Sequence, residues 1–600
     1  MQIGRSRVLA LLAVVSIVGA ACSSTSATPT VAPGTQAPAT QAPATSAPSP
    51  TAAPVTSYPR AQTLYTQGTA WGAPSTWNPF DPNHAMGVIG LQYETLFLYD
   101  PLKDTYTNWL ATGGSWDSTN TTYTINVRQG VKWSDGTALT ASDVAFTIGL
   151  YKLQALGSDL WTYVTGVTAP DASTVVVTFK NPAYQEWQNF LYNTPIVPQA
   201  IWTQYNNENI LKFTNDNGVG TGPYTNLTHA ADRQVWQKNP NWWATSALSL
   251  NVAPTYVVDL VNTSNSAALG NLLAGNVDLS NNYLPGVATL VNGGYSITTY
   301  YPNPPYMLPG NTAVLIPNDQ KAPMSDPAFR KALATAINVN DIVNTDYGQI
   351  VAASDPTGLL PYFSKYIDKT VTAKLGFSFS TSKAKAMLAA AGYKTDSSGN
   401  VLNKDGSAMK LVLEVPDGWS DWMEAENLIA ASAKLAGINI DPEHPAQATT
   451  ITDRNRTDAT TVPKFDLEIN NDVQVSNTPF QWFDYVFREP LPFGAGETRN
   501  YEGYKNDAAW ALVQQLDTTP VSDTAKMQSI CSQLETIQLT DMPVIPLWYN
   551  GVWSQANNTV WTNWPSSTGS NNEMAVAWGG YWQMGAIFML TNLKPVPPAS

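Results

Sequence analysis

Paired carboxylates come nearest to a catalytic set in this sequence. Asp417 with Asp421, and Glu424 with Glu426, are close enough to be weighed as the acid and base of glycosidic hydrolysis. An Asp followed three residues later by a Glu, as at Asp421 and Glu424, is also typical of a helix N-terminus. We favour the helix start and keep a secreted glycoside hydrolase as a remote alternative.

Histidine and glycine patterns predict no other catalytic or metal site. His84, His229 and His444 are scattered, without metal-ligand spacing and without a partner for a serine nucleophile. The sequence also lacks a glycine-rich phosphate loop. Because the residue sets that common reactions require are missing, we expect a protein that is not an enzyme and uses no metal and no cofactor.

The segment VPDGWSDWM, residues 415–423, places two Trp and two Asp around a glycine turn. We predict that Asp421 is the N-cap of the helix that follows. Trp422 lies on the apolar stripe of that helix, which favours core packing over ligand contact. Trp419 lies outside the helix and off the stripe, and is therefore the residue most free to meet a ligand.

Aromatic composition points to a binding site. The chain has 21 Trp against 16 Phe, together with 27 Tyr. A core does not require this excess, because Phe packs as well without a polar N–H to satisfy. We interpret the excess as a site with flat aromatic faces and polar edges.

The first 21 residues predict a secretion signal. An arginine-bearing start precedes an apolar run at 8–18 that is short for a membrane span. Gly19-Ala20-Ala21 before Cys22 resembles the lipobox of bacterial lipoproteins, although the usual large aliphatic residue three before the Cys is a Gly here. The resemblance implies an acylated Cys22; the alternative is an ordinary cleaved signal.

Residues 22–57 are expected to tether the folded part to that anchor. The segment is rich in Ser, Thr, Ala and Pro, and carries no charge. Such a composition cannot bury a core and gives an extended spacer, or a disordered tail without an anchoring role. We therefore expect an exported protein at the cell surface or in the periplasm, anchored through Cys22. The other cysteine, Cys531, is expected to be a small core residue.

Size and charge restrict the remaining chain. The folded part of a 600-residue protein is too long for one core, which indicates two or three domains. A net charge of −14 without a basic patch argues against binding nucleic acid. The charge-free stretch 574–593 contains Gly, Gln and Asn, so we interpret it as buried strand and turn rather than a membrane helix.

Strand and helix patterns alternate along the chain, which favours α/β layers in more than one domain. Period-two apolar runs predict strands, and capped amphipathic runs predict helices. The predicted strands are 123–127, 173–179, 277–279, 410–415, 439–440 and 465–469, and the predicted helices are 142–152, 267–274, 326–337 and 382–391.

Five separated segments combine turns, prolines and helix starts in distinctive patterns. They are YTINVRQGVKWSDGTALTASDVAF (123–146), VGTGPY with KNPNWW (219–224 and 238–243), MSDPAFRKALATAINVNDIV (324–343), KAKAMLAAAGY (383–393) and PVIPLW (543–548). In this order they resemble segments of the solute-binding proteins of ABC importers known as bacterial extracellular solute-binding family 5, which includes oligopeptide, dipeptide and nickel receptors. Asn338 replaces the family's usual Asp. By themselves, the motifs are turn and cap patterns that identify a fold rather than a ligand.

The resemblance implies a two-lobed, type II-like periplasmic-binding-protein fold of the large, three-subdomain form called cluster C. Lobe 1 would comprise 58–305 and 546–600, with an inserted subdomain at about 90–215, and lobe 2 would comprise 306–545. A monomer would bind its ligand between lobes joined by a hinge. The permease subunits of an ABC importer would then recognise the closed form.

Two ligand classes stay open. A peptide brings charged termini that need a carboxylate and a cation when buried. A β-linked oligosaccharide is neutral and suits Trp and Tyr faces flanked by amides. The low charge and the abundant Trp and Asn favour a cello- or xylo-oligosaccharide. The GWSDW segment also resembles the corresponding segment of the family's cello-oligosaccharide receptors. In peptide receptors that region carries the Asp that pairs the peptide amine, a role Asp421 would take here.

Other candidate contacts follow from position, each with core packing as the alternative. The ligand-binding candidates are Trp419, Asp421, Trp422, Trp71, Asn78, Asn471, Trp482 and Trp548, with Asn470 beside them. We interpret Trp109, Trp116, Trp236 and Trp243 as structural, because they fall in the fold-signature regions, within or near these motifs.

Overall fold

A computed structural model describes the folded part of the chain. It covers residues 58–458, 460–473, 476–492, 499–575 and 583–597. The predicted signal peptide, Cys22 and the tether lie outside the described residues.

Strands occur along the whole described chain. They are β1 (Thr63–Gln67), β2 (Phe97–Asp100), β3 (Thr105–Asn108), β4 (Ala111–Trp116), β5 (Thr122–Val127), β6 (Val164–Thr168), β7 (Thr174–Phe179), β8 (Tyr224–Ala230), β9 (Arg233–Lys238), β10 (Tyr256–Leu260), β11 (Leu279–Ser280), β12 (Ile297–Thr298), β13 (Leu308–Pro317), β14 (Ala352–Ala353), β15 (Leu411–Glu414), β16 (Ile440–Glu443), β17 (Leu467–Asn470), β18 (Ile545–Val552), β19 (Gln555–Asn557), β20 (Trp561–Thr562) and β21 (Lys594–Pro595).

Helices alternate with these strands. They are α1 (Ala141–Leu150), α2 (Leu160–Tyr163), α3 (Gln185–Asn193), α4 (Gln199–Trp202), α5 (Trp243–Leu248), α6 (Asn265–Leu273), α7 (Val287–Asn292), α8 (Pro327–Ala336), α9 (Val339–Asp341), α10 (Lys369–Leu375), α11 (Thr381–Ala390), α12 (Ser420–Leu435), α13 (Gln447–Arg454), α14 (Phe480–Phe487), α15 (Asp507–Asp517), α16 (Thr524–Asp541) and α17 (Ala586–Asn592). Each predicted strand and helix is present, with its ends shifted by a few residues.

Two large mixed sheets organise the fold. The first is seven-stranded in the order β12-β19-β11-β1-β10-β9-β8, and the second is six-stranded in the order β14-β18-β13-β17-β15-β16. An antiparallel four-stranded sheet, β4-β5-β7-β6, lies between β1 and β8 in the chain, within the predicted insertion. Sheets interleaved with helices confirm the predicted α/β class.

Strand order passes between the two large sheets at two places in the described chain, between β12 and β13 and between β18 and β19. The first change falls between Thr298 and Leu308, and the lobe boundary at 305/306 stays a prediction. The boundary predicted at 545/546 is wrong, because it falls inside β18, which pairs with β13 from Ile545 to Val552. The chain therefore returns to the first sheet at Trp553–Ser554.

The interpretation of 574–593 as strand and turn also needs correction. Residues 586–592 form α17, which buries Ile587, Met589 and Leu590 in the first core, and 576–582 lie outside the described residues. Within the described part of the chain, no helix is both long and apolar enough to cross a membrane.

A buried carboxylate ties the motif tryptophans into the first core. Glu94 accepts indole N–H groups from Trp109 at 2.9 Å, Trp242 at 3.1 Å and Trp243 at 2.7 Å. Burial raises the pKa of Glu94 to about 7, while these N–H donors oppose the rise. Trp236 is also fully buried and donates its N–H to the Met86 carbonyl. These positions fit the structural role expected of the motif tryptophans.

Candidate functional site

A cavity of about 690 Å³ lies between the two large sheets. Its wall combines loops that follow strands of the first sheet with loops that follow strands of the second. Asn550 of β18 and Trp553 of the return crossing complete it. The volume is within the range of about 300–1,000 Å³ that is typical of small-ligand sites.

The first wall is formed at one edge of the seven-stranded sheet. Strand β1 is parallel to both β10 and β11, so the chain leaves these three strands at the same edge. The segment 68–75 follows β1, Asn265 lies beyond β10, and residues 281–283 follow β11. Open α/β sheets bind ligands at such carboxyl edges, which explains why these short loops converge.

The second wall has the same origin. Strand β15 is parallel to β16 and to β17, so the segments after these strands also meet at one edge. Trp419 and Asp421 follow β15, Gln447 follows β16, and Asn471 follows β17. The cavity therefore lies between two carboxyl edges.

Trp419 and Trp422 form the aromatic corner of the second wall. Their ring centroids are 4.8 Å apart with an interplanar angle of 76°. Trp422 is buried in the core and also lines the cavity, while Trp419 is half-buried. The predicted N-cap is wrong: Trp419 occupies the N-cap position of α12, and Asp421 lies in the first turn.

Asp421 is buried instead of capping the helix. It accepts the Tyr347 hydroxyl at 3.1 Å, and burial raises its pKa to about 6 against that hydrogen bond. Asp346 stands near it; burial, followed by repulsion from Asp421 and Glu424, raises the pKa of Asp346 to about 8. One position before Asp421, Ser420 accepts the side-chain amide of Asn265 at 2.8 Å, which joins the two walls directly.

Asp259, near the end of β10, is the other carboxylate on the described wall, and no sequence motif marks it. It is buried and accepts the hydroxyls of Thr66 at 2.8 Å and Thr69 at 2.9 Å. Burial raises its pKa to about 6, and the two hydroxyls oppose the rise. Both wall carboxylates therefore already have hydrogen-bond partners within the protein.

The acid pairs weighed for hydrolysis do not meet at the cavity. Asp417 and Glu424 are exposed, and Glu426 is buried in contact with His444. Of the four acids, Asp421 alone lines the cavity. Neither of the two pairs therefore places both of its carboxylates on the cavity wall, as glycosidic hydrolysis by that pair would require.

Neutral groups make up most of the wall. Among the lining residues that the structure describes, none is a lysine or an arginine. The side-chain amides are Asn83, Gln234, Asn265, Asn281, Asn282, Gln447, Asn471 and Asn550, and the large aromatics are Trp71, Tyr283, Trp419, Trp422 and Trp553. The wall can therefore offer flat apolar faces beside groups that both donate and accept hydrogen bonds.

Five of the predicted site residues come together at the cavity: Trp71, Trp419, Asp421, Trp422 and Asn471. They share one property, which is that each follows a strand whose carboxyl end faces the cavity. Trp71 is 47% exposed, so its ring is open to a ligand.

The other predicted contacts point elsewhere. Asn78 is buried, donates to the Ile210 carbonyl at 2.6 Å and accepts the Phe80 N–H, so it closes its own loop. Trp482 donates its indole N–H to Gln538 at 3.1 Å. Its ring packs in a core of the second lobe.

Trp548 and Asn470 are held within the second sheet. Trp548 is fully buried, with its ring centroid 5.3 Å from that of Tyr347. Asn470 is the last residue of β17, and its side-chain oxygen accepts the N–H of Asp472. At these positions core packing, the alternative weighed for each, describes the contacts.

Gly68 allows the loop after β1 to approach the loop after β11 closely. Its φ is +99°, and a Cβ there would lie 2.7 Å from atoms of Asn281 and Asn282. Gly72, in the same loop, would meet no atom within 4 Å.

We expect Gly68→Ala to lower the free energy of unfolding by about 1–3 kcal/mol, because it combines a strained φ with a backbone clash. Gly72→Ala is the matched control and should change it by less than about 0.5 kcal/mol. Denaturant unfolding measures both. Equal values for the two variants would contradict the close approach at Gly68.

Comparison with known proteins gives consistent matches. A model of "Bacterial extracellular solute-binding proteins, family 5 Middle" matches residues 105–489. The periplasmic oligopeptide-binding protein OppA of Salmonella typhimurium is 23% identical over 465 residues, which are 71% of this chain and 76% of that protein.

Two solved structures from Thermotoga maritima are similar along most of the chain. The oligopeptide ABC transporter, periplasmic oligopeptide-binding protein is 39% identical with a TM-score of 0.84, over 90% of this chain and 100% of that one. A mannohexaose-bound structure of that protein is 38% identical with a TM-score of 0.81, over 90% and 99%. These likenesses confirm the predicted binding-protein fold.

Proposed function

The chain belongs to the bacterial extracellular solute-binding proteins of family 5, and from that premise we propose that its interlobe cavity captures a neutral oligosaccharide. As in this family generally, the protein is a solute-binding receptor of an ABC importer. Its permease partners follow from that role, while the sugar is our proposal.

The wall chemistry carries the proposal. A sugar ring has apolar C–H faces and a rim of hydroxyls, which match Trp and Tyr faces flanked by amides. Trp71 on the first wall and Trp419 on the second supply such side chains to the cavity. A charged ligand would lose its hydration in the closed cleft. The described wall has no lysine or arginine that could pair with an anionic end of such a ligand and offset this cost.

A relative supports the same ligand class. The Thermotoga maritima protein was solved with mannohexaose bound, although its name describes an oligopeptide-binding protein. We therefore place manno-oligosaccharides beside the cello- and xylo-oligosaccharides favoured by the sequence.

Calorimetry with mannohexaose, cello-oligosaccharides, xylo-oligosaccharides and a panel of di- to pentapeptides tests the proposal. We expect at least one sugar to bind with a micromolar or lower Kd, and the peptides not to bind. Trp419→Ala should weaken sugar binding at least about tenfold, because the ring supplies a stacking face. Tyr295→Ala, an exposed aromatic residue outside the cavity, is the matched control. Tight peptide binding without a response to sugars would overturn the proposal.

A peptide ligand is the second candidate, and Asp421 is the observation that favours it. This carboxylate lies on the cavity wall, and OppA of Salmonella typhimurium is named as an oligopeptide-binding protein. A carboxylate at this place can pair a peptide amine.

Asp421→Asn separates the two ligand classes. The Asn side chain keeps an oxygen that can accept the Tyr347 hydroxyl but loses the negative charge. For a sugar we expect a change in Kd of less than about tenfold, since a hydrogen bond without formal charge remains. For a peptide amine we expect a loss of more than about tenfold. Binding of an N-acetylated peptide equal to that of its free-amine form would exclude the amine-pairing role.

We also propose that the receptor is exported and anchored through acylated Cys22. The apolar run 8–18, the small residues before Cys22 and the uncharged segment that follows support this placement. The long spacer would hold the folded part away from the membrane surface.

Partition of the full chain into a Triton X-114 detergent phase, after expression in a bacterium, checks the anchor. We expect wild type to enter the detergent phase and Cys22→Ser to remain in the aqueous phase, because the acyl chains are lost. Cys531→Ser, which changes the buried cysteine, should partition as wild type does. A detergent-phase Cys22→Ser variant would disprove anchoring at this residue.

A further inference from the structure

A second interface joins the inserted subdomain to the second lobe, apart from the cavity. Helix α3 packs against α14 and α15. Gln185 donates to the carbonyls of Leu516 at 2.8 Å and Thr519 at 3.1 Å, and the Glu186 N–H donates to Asp517 at 3.1 Å. The described cavity wall includes none of these residues.

Asp159 is the ionic centre of this interface. It lies in the inserted subdomain and pairs with Arg488 at 2.8 Å and Arg499 at 3.0 Å, both in the second lobe. Asp484 holds the two arginines from their own side, at 2.7 Å and 3.3 Å. Burial disfavours the ionised form of Asp159, but Arg488 and Arg499 favour that form more strongly. The pKa of Asp159 is therefore lowered from its ordinary value.

The interface is polar, in contrast to the hinge side. The core of the inserted subdomain and the core that contains α14 are separate clusters. Near the crossings, one core instead includes residues of both lobes, such as Leu272 and Leu315. A polar contact between separate cores is the kind that opens and closes, while a shared apolar core holds its parts together.

We infer that Asp159, Arg488 and Arg499 form a latch that favours the closed lobes and thereby sets the affinity for ligand without touching it. Closing places the charges within hydrogen-bond distance, and opening returns them to water. Ligand and latch stabilise the same state, so a weaker latch reduces the fraction of molecules ready to bind. The effect on affinity rests on the proposed receptor function; the lobe equilibrium itself does not.

The latch also gives a direction for pH. Four acids, Asp159, Glu186, Asp484 and Asp517, face two arginines, Arg488 and Arg499. Burial, with repulsion from Asp517 and Asp484, raises the pKa of Glu186 to about 8. Burial raises that of Asp517 to about 7. Closing therefore takes up protons, and the closed form is favoured as pH falls from about 8 towards 6.

Small-angle scattering of the full protein without ligand tests the lobe equilibrium. Asp159→Asn should increase the radius of gyration, because it removes both ion pairs. No hydrogen bond from this side chain caps α2, so the change leaves that helix start intact. Glu208→Gln is the matched control, since it removes the same charge from an exposed position of the same subdomain. The radius of gyration of the wild-type protein should also increase when NaCl is raised from 0.05 to 1 M, because salt screens the ion pairs.

Calorimetry with mannohexaose gives the second readout. Asp159→Asn and, independently, Arg499→Gln should weaken binding about threefold to tenfold, and Glu186→Gln should reduce the loss of affinity between pH 6 and 8. With ligand in excess, the radius of gyration of each variant should equal that of the ligand-bound wild-type protein. If Asp159→Asn and Arg499→Gln match the control in radius, the latch is disproved, whether or not any sugar binds. If no sugar binds but the radii change as expected, the ligand proposal fails and the latch stands.

Discussion

The fold depends on one constraint: within the described chain, strand order passes between the two large sheets at only two places. The second passage is Trp553–Ser554, between β18 in one sheet and β19 in the other. Each sheet can therefore form its own hydrogen-bonded ladder and still turn about a short connection. A binding cleft that closes on a ligand requires this separation of two rigid bodies.

Strand direction decides what the cleft contains. In each lobe the parallel strands end at the edge that faces the other lobe, so that loops supply nearly the whole wall. Loops tolerate changes of side chain that a core does not, and the same frame can therefore serve different ligands. In this chain those loops carry amides and tryptophans, and the two acids on the wall, Asp259 and Asp421, are already hydrogen-bonded within the protein.

The sequence predicts elements better than side-chain directions. The alternating patterns locate the strands and helices, and the five motifs identify the fold, because both depend on local spacing. Trp419 and Asn471 are found by their place after a strand, but the same rule fails for Asn78, which turns back to its own loop. Asn281 and Asn282 follow β11, close to the strand predicted at 277–279, so the same rule could have found them. Trp553 reaches the wall because the chain crosses between sheets there, which only the strand order reveals.

Three kinds of contact between the lobes respond to different conditions. The apolar core at the crossings depends little on salt or pH, because its side chains carry no charge. The cavity wall is largely neutral, so recognition of a neutral ligand depends weakly on salt, but Asp259 and Asp421, whose pKa values burial raises to about 6, leave it sensitive to pH. Ion pairs at Asp159 respond to both. A change in salt concentration can therefore shift the open–closed equilibrium through the ion pairs at Asp159 while it changes the contacts to a neutral ligand little.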